Sequence, residues 1–532
     1  MPTTESSLRR RVPLIAALAA LALCLCAPQA LARYVYTGNY SSNNVSVIDT
    51  ATNQIVGAPI PAGEGPYAMA ITPNGKTLYV GNETSGDLTV IDIPTGQPVT
   101  TIPTEISPAT IAISPDGKTA LVVDFTEDNV LFVDTATNQV VGAPVPVGEE
   151  LWGIAFSVDG KSAYVVDEKA NSVWVLDVAT RQIVGPSIPV GKGPINIVVS
   201  PDGKTVYVGN EDDSTVSVID IQTRQAVGAP IPVGASPWGL ALTPNGSRLY
   251  VSNYGDDTVS VIDTASRQVV GTPIPTGNEP YELATTPDGK TVYVTNYETG
   301  GANGSVTVID TATNQVATTI PVTGGPWQLA IVPDQSPTPS ITFAATKKQP
   351  LSLFFSGLGS TDPDGTIASY NWNFGDGVTA TNGGPTPNHK YAKAGNYPVS
   401  LTAVDNEGCS GMVFTGRMAH CNGPGPLTQL VTVKAPNNFK FGKLKRNAKK
   451  GTAKLTIRVP AAGKLILSGK QVKRAQRSAK KAGKVVLNVR PKPKAKKQLA
   501  EDGSAKVRIK VKFRPTGGVA HTKSKSLKLI QR

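Results

Sequence analysis

The sequence predicts an all-β chain, most of it a ring of repeated four-stranded sheets. Three observations carry this reading. A motif ending in aspartate, typified by V-S-V-I-D, occurs seven times, at Asp49, Asp92, Asp134, Asp177, Asp220, Asp263 and Asp310. Successive copies lie 43, 42, 43, 43, 43 and 47 residues apart, and a period in the low forties is the length of one propeller blade. Glycine (52 residues) and proline (43) are abundant beside 40% hydrophobic and 17% charged residues, which suits many short strands joined by turns. A blade cannot bury its sheet face alone, so stacked blades share a core. Architecture of this kind does not fix chemistry, because propellers host enzymes, sensors and binding platforms alike.

The N-terminus reads as an export signal. Arg9, Arg10 and Arg11 precede an apolar stretch from Val12 to about Ala27, and Ala30-Leu31-Ala32 forms an A-x-A cleavage site. Residues 1–32 are therefore expected to be a signal peptide, giving an exported, extracellular or cell-surface protein. Leu23 precedes Cys24 where a lipid-attachment motif wants a small residue. No later segment is long and apolar enough to span a bilayer.

One repeat shows the logic of the others. Pro194 to Ser200 is a short apolar inner strand, and Pro201-Asp202-Gly203-Lys204 supplies turn-favouring residues. Val206-Tyr207-Val208 and Val216 to Asp220 are the next two strands, separated by a polar loop. Gln225 to Pro232 is an outer strand, where an edge tolerates proline. The turn recurs at Pro73-Asn74-Gly75, Pro115-Asp116-Gly117, Val158-Asp159-Gly160, Pro244-Asn245-Gly246 and Pro287-Asp288-Gly289. The ends hold partial repeats. Tyr34-Val35-Tyr36 is a second strand without a first, and Pro326 to Val332 is a first strand without followers. One closing blade is expected, with one strand from the C-terminal side and three from the N-terminal side.

Tyr293-Val294-Thr295-Asn296, with variants at Tyr79-Val80-Gly81-Asn82, Tyr207-Val208-Gly209-Asn210 and Tyr250-Val251-Ser252-Asn253, resembles the signature of the YVTN family of seven-bladed propellers. The resemblance covers residues 33–334 and is to bacterial surface-layer and periplasmic proteins. Val123-Asp124 and Val166-Asp167 depart from it by replacing the asparagine.

Related seven-bladed propellers include lactonases and lyases whose chemistry commonly relies on histidine or a metal. Here the three histidines are His389, His420 and His521, all outside the propeller. A general base would have to be a shifted carboxylate or lysine. Acidic loops at Glu211-Asp212-Asp213 and Asp256-Asp257 read as a solvated rim, with weak structural calcium as the other use of their hard oxygen atoms. No catalytic, cofactor or metal residue is assigned. The residue after the first position of each inner strand is Tyr67, Ala109, Trp152, Ile195, Trp238, Tyr281 or Trp327. These positions converge on one end of the channel, where Tyr67, Trp152, Trp238, Tyr281 and Trp327 either grip a ligand or pack between blades.

Residues 335–339 are expected to be a linker. Beyond it, Tyr370-Asn371-Trp372-Asn373-Phe374-Gly375-Asp376-Gly377 and Val399 to Asp405 (V-S-L-T-A-V-D) resemble a PKD domain, an immunoglobulin-like sandwich, over residues 340–435. The family's usual aspartate after the tryptophan is Asn373 here. The resemblance implies a spacer or interaction module, with Trp372 and Phe374 in its core. Cys409 and Cys421, in an exported chain, are expected to close a local disulfide loop.

From Asn437 onward 30 lysines and arginines face two acids, Glu501 and Asp502, a net +28. The whole chain is +12, so residues 1–436 carry −16. Alternating apolar and basic residues in Ala453 to Val459, Lys484 to Val489 and Ala505 to Phe513 predict strands, hence a small basic β-rich domain over 436–532. Lys470 to Lys484 reads as a short basic helix and Pro491 to Lys497 as a basic loop. Lys473, Arg474, Arg477, Lys480, Lys481, Lys492, Lys494, Lys496 and Lys497 are the expected polyanion contacts. The expected partner is an anionic wall polymer or polysaccharide, with lipid head groups and extracellular DNA as other polyanions and the chain's own acidic region as the remaining alternative. Nucleic acid is disfavoured because Phe439, Phe441 and Phe513 are the domain's only aromatic residues besides His521. The sequence thus points to a non-enzymatic exported binding protein whose propeller recognises a cell-surface protein or carbohydrate. The alternatives are a propeller hydrolase, lactonase or lyase using channel carboxylates, and a structural array protein that self-assembles without a ligand.

Overall fold

A computed structural model describes residues 34–298, 303–345 and 349–532; the expected signal peptide, with Cys24 and Cys26, lies outside them. Two compact units are present. The first comprises the described residues up to Pro337 together with Asp362–Ile367 and Val404–Gly425. The second comprises Thr338–Thr361, Ala368–Ala403 and Pro426–Arg532. Among the described residues no helix is long and apolar enough to cross a membrane.

The first unit holds seven antiparallel sheets whose inner strands contact one another in a closed cycle. The closing blade is composite. Its inner strand Pro326–Ile331 pairs with Tyr34–Asn39, which pairs with Asn44–Asp49. A β-ring closed in this way leaves no blade with a free inner edge.

The repeated residues each have a local task. In six of the seven repeats the aspartate ending the third strand accepts hydrogen bonds from the backbone N–H and hydroxyl of the Thr or Ser three residues on, as Asp220 does from Thr223 at 2.7 and 2.9 Å. In Asp220 these bonds favour the carboxylate and hold its pKa below the usual range. The motif asparagine is a buried amide tying the end of the second strand to the third. Asn210 Nδ2 donates to Thr215 and Ser217, both at 2.9 Å. Asp124 and Asp167 occupy the same buried position. There Asp167 reverses polarity, accepting from the Trp174 indole at 2.8 Å, so the departure from the motif leaves the fold intact.

The second unit contains a two-sheet sandwich. One sheet is Thr342–Ala345, Ser352–Ser356 and Asn388–Lys390; the other is built on Ile367–Asn373, Gly395–Asp405 and Leu427–Val433. Trp372, Phe374, Phe355 and Tyr391 fill the core between them. The expected linker 335–339 is not free. Gln335 lies in a two-residue strand, Asp334–Gln335, parallel to Ala419–Asn422, and Thr338 bridges to Thr361. Its backbone groups find partners there, so it runs as structure.

The basic domain is a second sandwich. Its strands are β1 (Lys440–Asn447), β2 (Thr452–Val459), β3 (Gly463–Ser468), β4 (Ala475–Ala479), β5 (Gly483–Val489), β6 (Ser504–Pro515) and β7 (His521–Ile530), with helix α1 (Pro493–Asp502) before β6. The sheet orders are β1-β2-β5 and β4-β3-β6-β7. Two expectations are corrected here. Lys470 to Lys484 contains a strand rather than a helix, because β3 offers an edge on which β4 pairs over its full length. Residues 493–502 form a helix rather than a loop. Pro493 is tolerated in the first turn, and Ala495 and Leu499, one turn apart, are both buried.

Candidate functional site

Each inner strand of the propeller starts at one end of the channel, and its second residue points there. Tyr67, Trp152, Trp238, Tyr281 and Trp327 do converge. Their ring centroids form a chain of contacts: Tyr67–Trp327 at 5.0 Å, Trp327–Tyr281 at 4.3 Å, Tyr281–Trp238 at 4.6 Å and Trp238–Trp152 at 5.5 Å. Tilted and edge-on ring pairs of this kind are mutually attractive. The five rings therefore cap the channel mouth. Tyr67 and Tyr281 are buried, whereas the three tryptophans remain partly exposed. Burial pushes both tyrosine hydroxyls well above their ordinary pKa, so they stay protonated.

A second circle surrounds the cap, formed by the residue after each motif Asn or Asp. Tyr40, Phe125, Tyr254 and Tyr297 extend the aromatic surface, with Tyr297 4.4 Å from Trp327 and Phe125 4.6 Å from Trp152. Glu168 accepts from the Trp152 indole. Burial, and then neighbouring carboxylates, raise the Glu168 and Glu211 pKa values. Sequence reasoning missed this circle, although its signal was present: one position beyond the motif asparagine, aromatic or Glu in all seven repeats. The acidic loops behind it are engaged. Asp213 accepts the Lys192 backbone N–H at 2.7 Å, and Asp256 that of Ala235 at 2.6 Å. Those carboxylates fasten neighbouring loops.

The opposite end of the channel is filled by the loop between Cys409 and Cys421. The two cysteines are bonded, with Cα atoms 5.8 Å apart. The loop lies on the final residues of two inner strands: Phe156 N–H donates to Gly416 O at 2.8 Å and Val199 N–H to Thr415 O at 3.0 Å. Gly416 has φ +88, and a Cβ there would stand 2.8 Å from the Ala155 Cβ, so only glycine permits this approach. From the loop Arg417 reaches up the channel. Its Nη1 donates to Glu282 Oε2 at 3.0 Å and to Asn196 Oδ1 at 2.7 Å. Glu282 and Asn196 each lie one residue beyond the ring position. The side chains of Arg417 and Glu282 are 10% and 5% exposed, so the pair is a buried ion pair. Met418 packs against the propeller core. His420 is wholly buried, and its pKa is pushed down to about 4, so it is neutral. The void left beside Arg417 is about 20 Å³, room for about one water.

Next to the disulfide five carboxylates gather: Asp334, Asp362, Asp364, Asp405 and Glu407. Ligand oxygens of Asp334, Asp405 and Glu407 all lie within 4.8 Å of one another. Each of the five residues has at least one buried oxygen without a hydrogen-bond partner. Burial first, and then Asp405 and Asp364, push Asp334 up to about 8, and burial leads the rise of Asp364 to about 6. An all-oxygen, multiply anionic cluster with orphaned lone pairs fits a hard divalent cation such as calcium. Cys409 and Cys421 also adjoin Asp334, but both sulfurs are committed to the disulfide.

Comparison with known proteins agrees with this geometry. A family described as "Lactonase, 7-bladed beta-propeller" matches residues 107–267 and 181–319, and one described as "PKD domain" matches residues 334–418. The chain is a seven-bladed propeller with a PKD domain. A microbial collagenase of Vibrio alginolyticus is 44% identical over 82 residues, 15% of this chain and 10% of that protein. Collagenase ColA of Clostridium perfringens is 48% identical over 54 residues, 10% of this chain and 5% of that protein. The chain thus spans a tenth or less of these curated relatives. A solved protein of unknown function from Desulfotomaculum acetoxidans superposes with a TM-score of 0.50 at 18% identity, covering 56% of this chain and 98% of that one; this likeness concerns the fold alone.

In the PKD domain His389 is structural. It stacks on Phe374 with centroids 4.2 Å apart and meets Asp376 at 2.9 Å. The nine expected polyanion contacts of the basic domain are all exposed. Arg477 is on β4, Lys494, Lys496 and Lys497 are in α1, and the others flank these elements. Lys497 is partly engaged by Glu501 at 3.8 Å.

Proposed function

We propose that the protein is an exported, non-enzymatic recognition protein of the cell surface or extracellular space. The observation that carries this reading is Arg417. It fills the channel from one end and is held there by Glu282, while five aromatic rings cap the other end. What remains accessible is the outer aromatic face. Tryptophan and tyrosine rings stack on the C–H faces of sugars, and Glu83, Glu168 and Glu211 around the rim offer acceptors for hydroxyl groups. A carbohydrate chain of the cell surface is the ligand chemistry this face suits best. The curated proteins similar over short stretches of this chain include collagenases, which supports an extracellular setting. The basic domain is the anchor, drawn to an anionic polymer. The carboxylate cluster at Asp334 and Asp405 holds a structural calcium ion that fixes the root of the channel-filling loop.

A lactonase-type hydrolase is the second reading, favoured by the family match over residues 107–319. It requires Glu282 to be released from Arg417. One experiment separates the two. The mature protein and a Trp238→Ala variant are titrated with cell-surface glycans while tryptophan fluorescence is followed, and both are assayed against simple lactones. Saturable glycan binding lost in the variant, without turnover, supports recognition. Lactone turnover abolished by Glu282→Gln overturns it.

A further inference from the structure

The β4-β3-β6-β7 sheet of the basic domain has an inner face that builds the core and an outer face that no described element covers. Strand β6 is its third strand and alternates without a break. Ala505, Val507, Ile509, Val511 and Phe513 are buried, while Lys506, Arg508, Lys510, Lys512 and Arg514 are exposed. The five cations therefore stand in one row on one face. Successive members are two residues apart, roughly 6.8 Å at the rise of an antiparallel strand, so the row spans about 27 Å.

The neighbours in register are not acids. Lys510 stands between Ser468 of β3 and Ser524 of β7, and Lys512 between Ile466 and Thr522. Arg508 faces Ser526. At the two ends Lys506 faces Lys528 and Arg514 faces Lys464. Among the described residues none of the five cations is in an ion pair. Like charges in neighbouring positions repel, and nothing in the sheet offsets that repulsion. The domain's aromatic residues do not relieve it either: Phe439 and Phe513 are in the core and Phe441 packs against it.

We infer that this row is the binding site for a single extended phosphodiester chain of the polyol-phosphate type. Three backbone bonds of an extended chain advance about 3.5 Å, so a six-bond polyol-phosphate repeat advances roughly 7 Å. One phosphate then meets each cation in turn, and the flanking serine and threonine hydroxyls donate to phosphate oxygens or accept from polyol hydroxyls. Nucleic acid shares the phosphate chemistry, but the face has no ring on which a base could stack. A carboxylate polysaccharide lacks the tetrahedral oxygens that two or three donors share at each step. The inference rests on the anchor reading above and supplies its ligand. It differs from the sequence expectation in placing the contact on β6 and not on the segments around β4 and α1.

The test uses the mature full-length chain and short poly(glycerol phosphate), with polygalacturonate and duplex DNA of matched charge as competitors. A ladder variant carries K506Q, R508Q, K510Q, K512Q and R514Q. A control variant carries K473Q, R474Q, K480Q, K481Q and K494Q, the same loss of charge elsewhere on the domain. A milder K510Q/K512Q variant guards against misfolding, which near-ultraviolet circular dichroism reports. For five phosphates the slope of log affinity against log salt is expected to be about −3.5. The ladder variant should lose that slope and at least about thirtyfold in affinity, and the control should stay within about threefold of wild type. Equal losses in both variants would overturn the ladder while leaving a general electrostatic anchor. Failure of the wild type to bind any of the three polymers would overturn the anchor reading itself. Tighter binding of DNA or polygalacturonate through the same five residues would overturn the assigned polymer class.

Discussion

Arg417 and Glu282, 135 positions apart in sequence, meet at 3.0 Å inside the propeller channel. One comes from a disulfide-closed loop, the other from an inner strand. Removing one partner leaves the other charge buried and alone, which destabilises by about 3–5 kcal/mol. Arg417→Met is expected to lower the denaturant midpoint accordingly. The double variant Arg417→Met with Glu282→Gln should recover part of the loss, because no uncompensated charge remains. Chemical denaturation of the single and double variants checks this.

The carboxylate cluster gives an expected pH dependence. Asp334, raised to about 8, and Asp364, raised to about 6, bind protons in the folded chain that the unfolded chain has already released. Stability without added cation should therefore fall as pH rises from about 4 to about 8. Millimolar calcium is expected to flatten that fall, because the cation replaces the protons. Melting curves across this window, with calcium and with chelator, test both statements. Asp405→Asn should abolish most of the calcium effect.

Reducing the Cys409–Cys421 bond frees a short loop. Closing a loop of this size restricts the unfolded chain by about 3 kcal/mol. Denaturant midpoints with and without reductant should differ on that scale, and Cys409→Ser with Cys421→Ser should be insensitive to reductant.

On the aromatic face Trp238 touches Trp152, Tyr254 and Tyr281. Trp238→Ala is expected to weaken glycan binding about tenfold, from about 1.4 kcal/mol of lost ring contact, while the fold persists. Titration followed by isothermal calorimetry gives the number.

Much of the fold was legible because repetition states it many times over. The seven aspartates gave the blade count, and the orphan segments Tyr34-Val35-Tyr36 and Pro326 to Val332 implied the composite closing blade that their pairing now shows. The aromatic ring was legible because its residues share one position in the repeat. The filling of the channel was not. Arg417 lies in no repeat, and its partners Asn196 and Glu282 occupy a position held elsewhere by Ala68, Thr110, Gly153, Gly239 and Gln328. A pair made once, across a long stretch of chain, leaves no periodic trace. The carboxylate cluster escaped for a similar reason: Asp334, Asp362 and Asp405 are remote in sequence and meet only through the fold. In the basic domain the lysines around β4 and α1 are adjacent in sequence and stand out as a charge run, whereas the cations of β6 are spaced by the apolar residues that make them a strand.

The composite blade and the filled channel also fix an order of events as the chain is made. The register Tyr36 with Ala330 joins segments about 290 residues apart, so the ring stays open until nearly two thirds of the protein has emerged from the ribosome. Its interior stays hollow for some ninety residues more, until Arg417 arrives and the cysteines on either side of it meet an oxidant. Every blade has thus been synthesised before the bond between Cys409 and Cys421 can close.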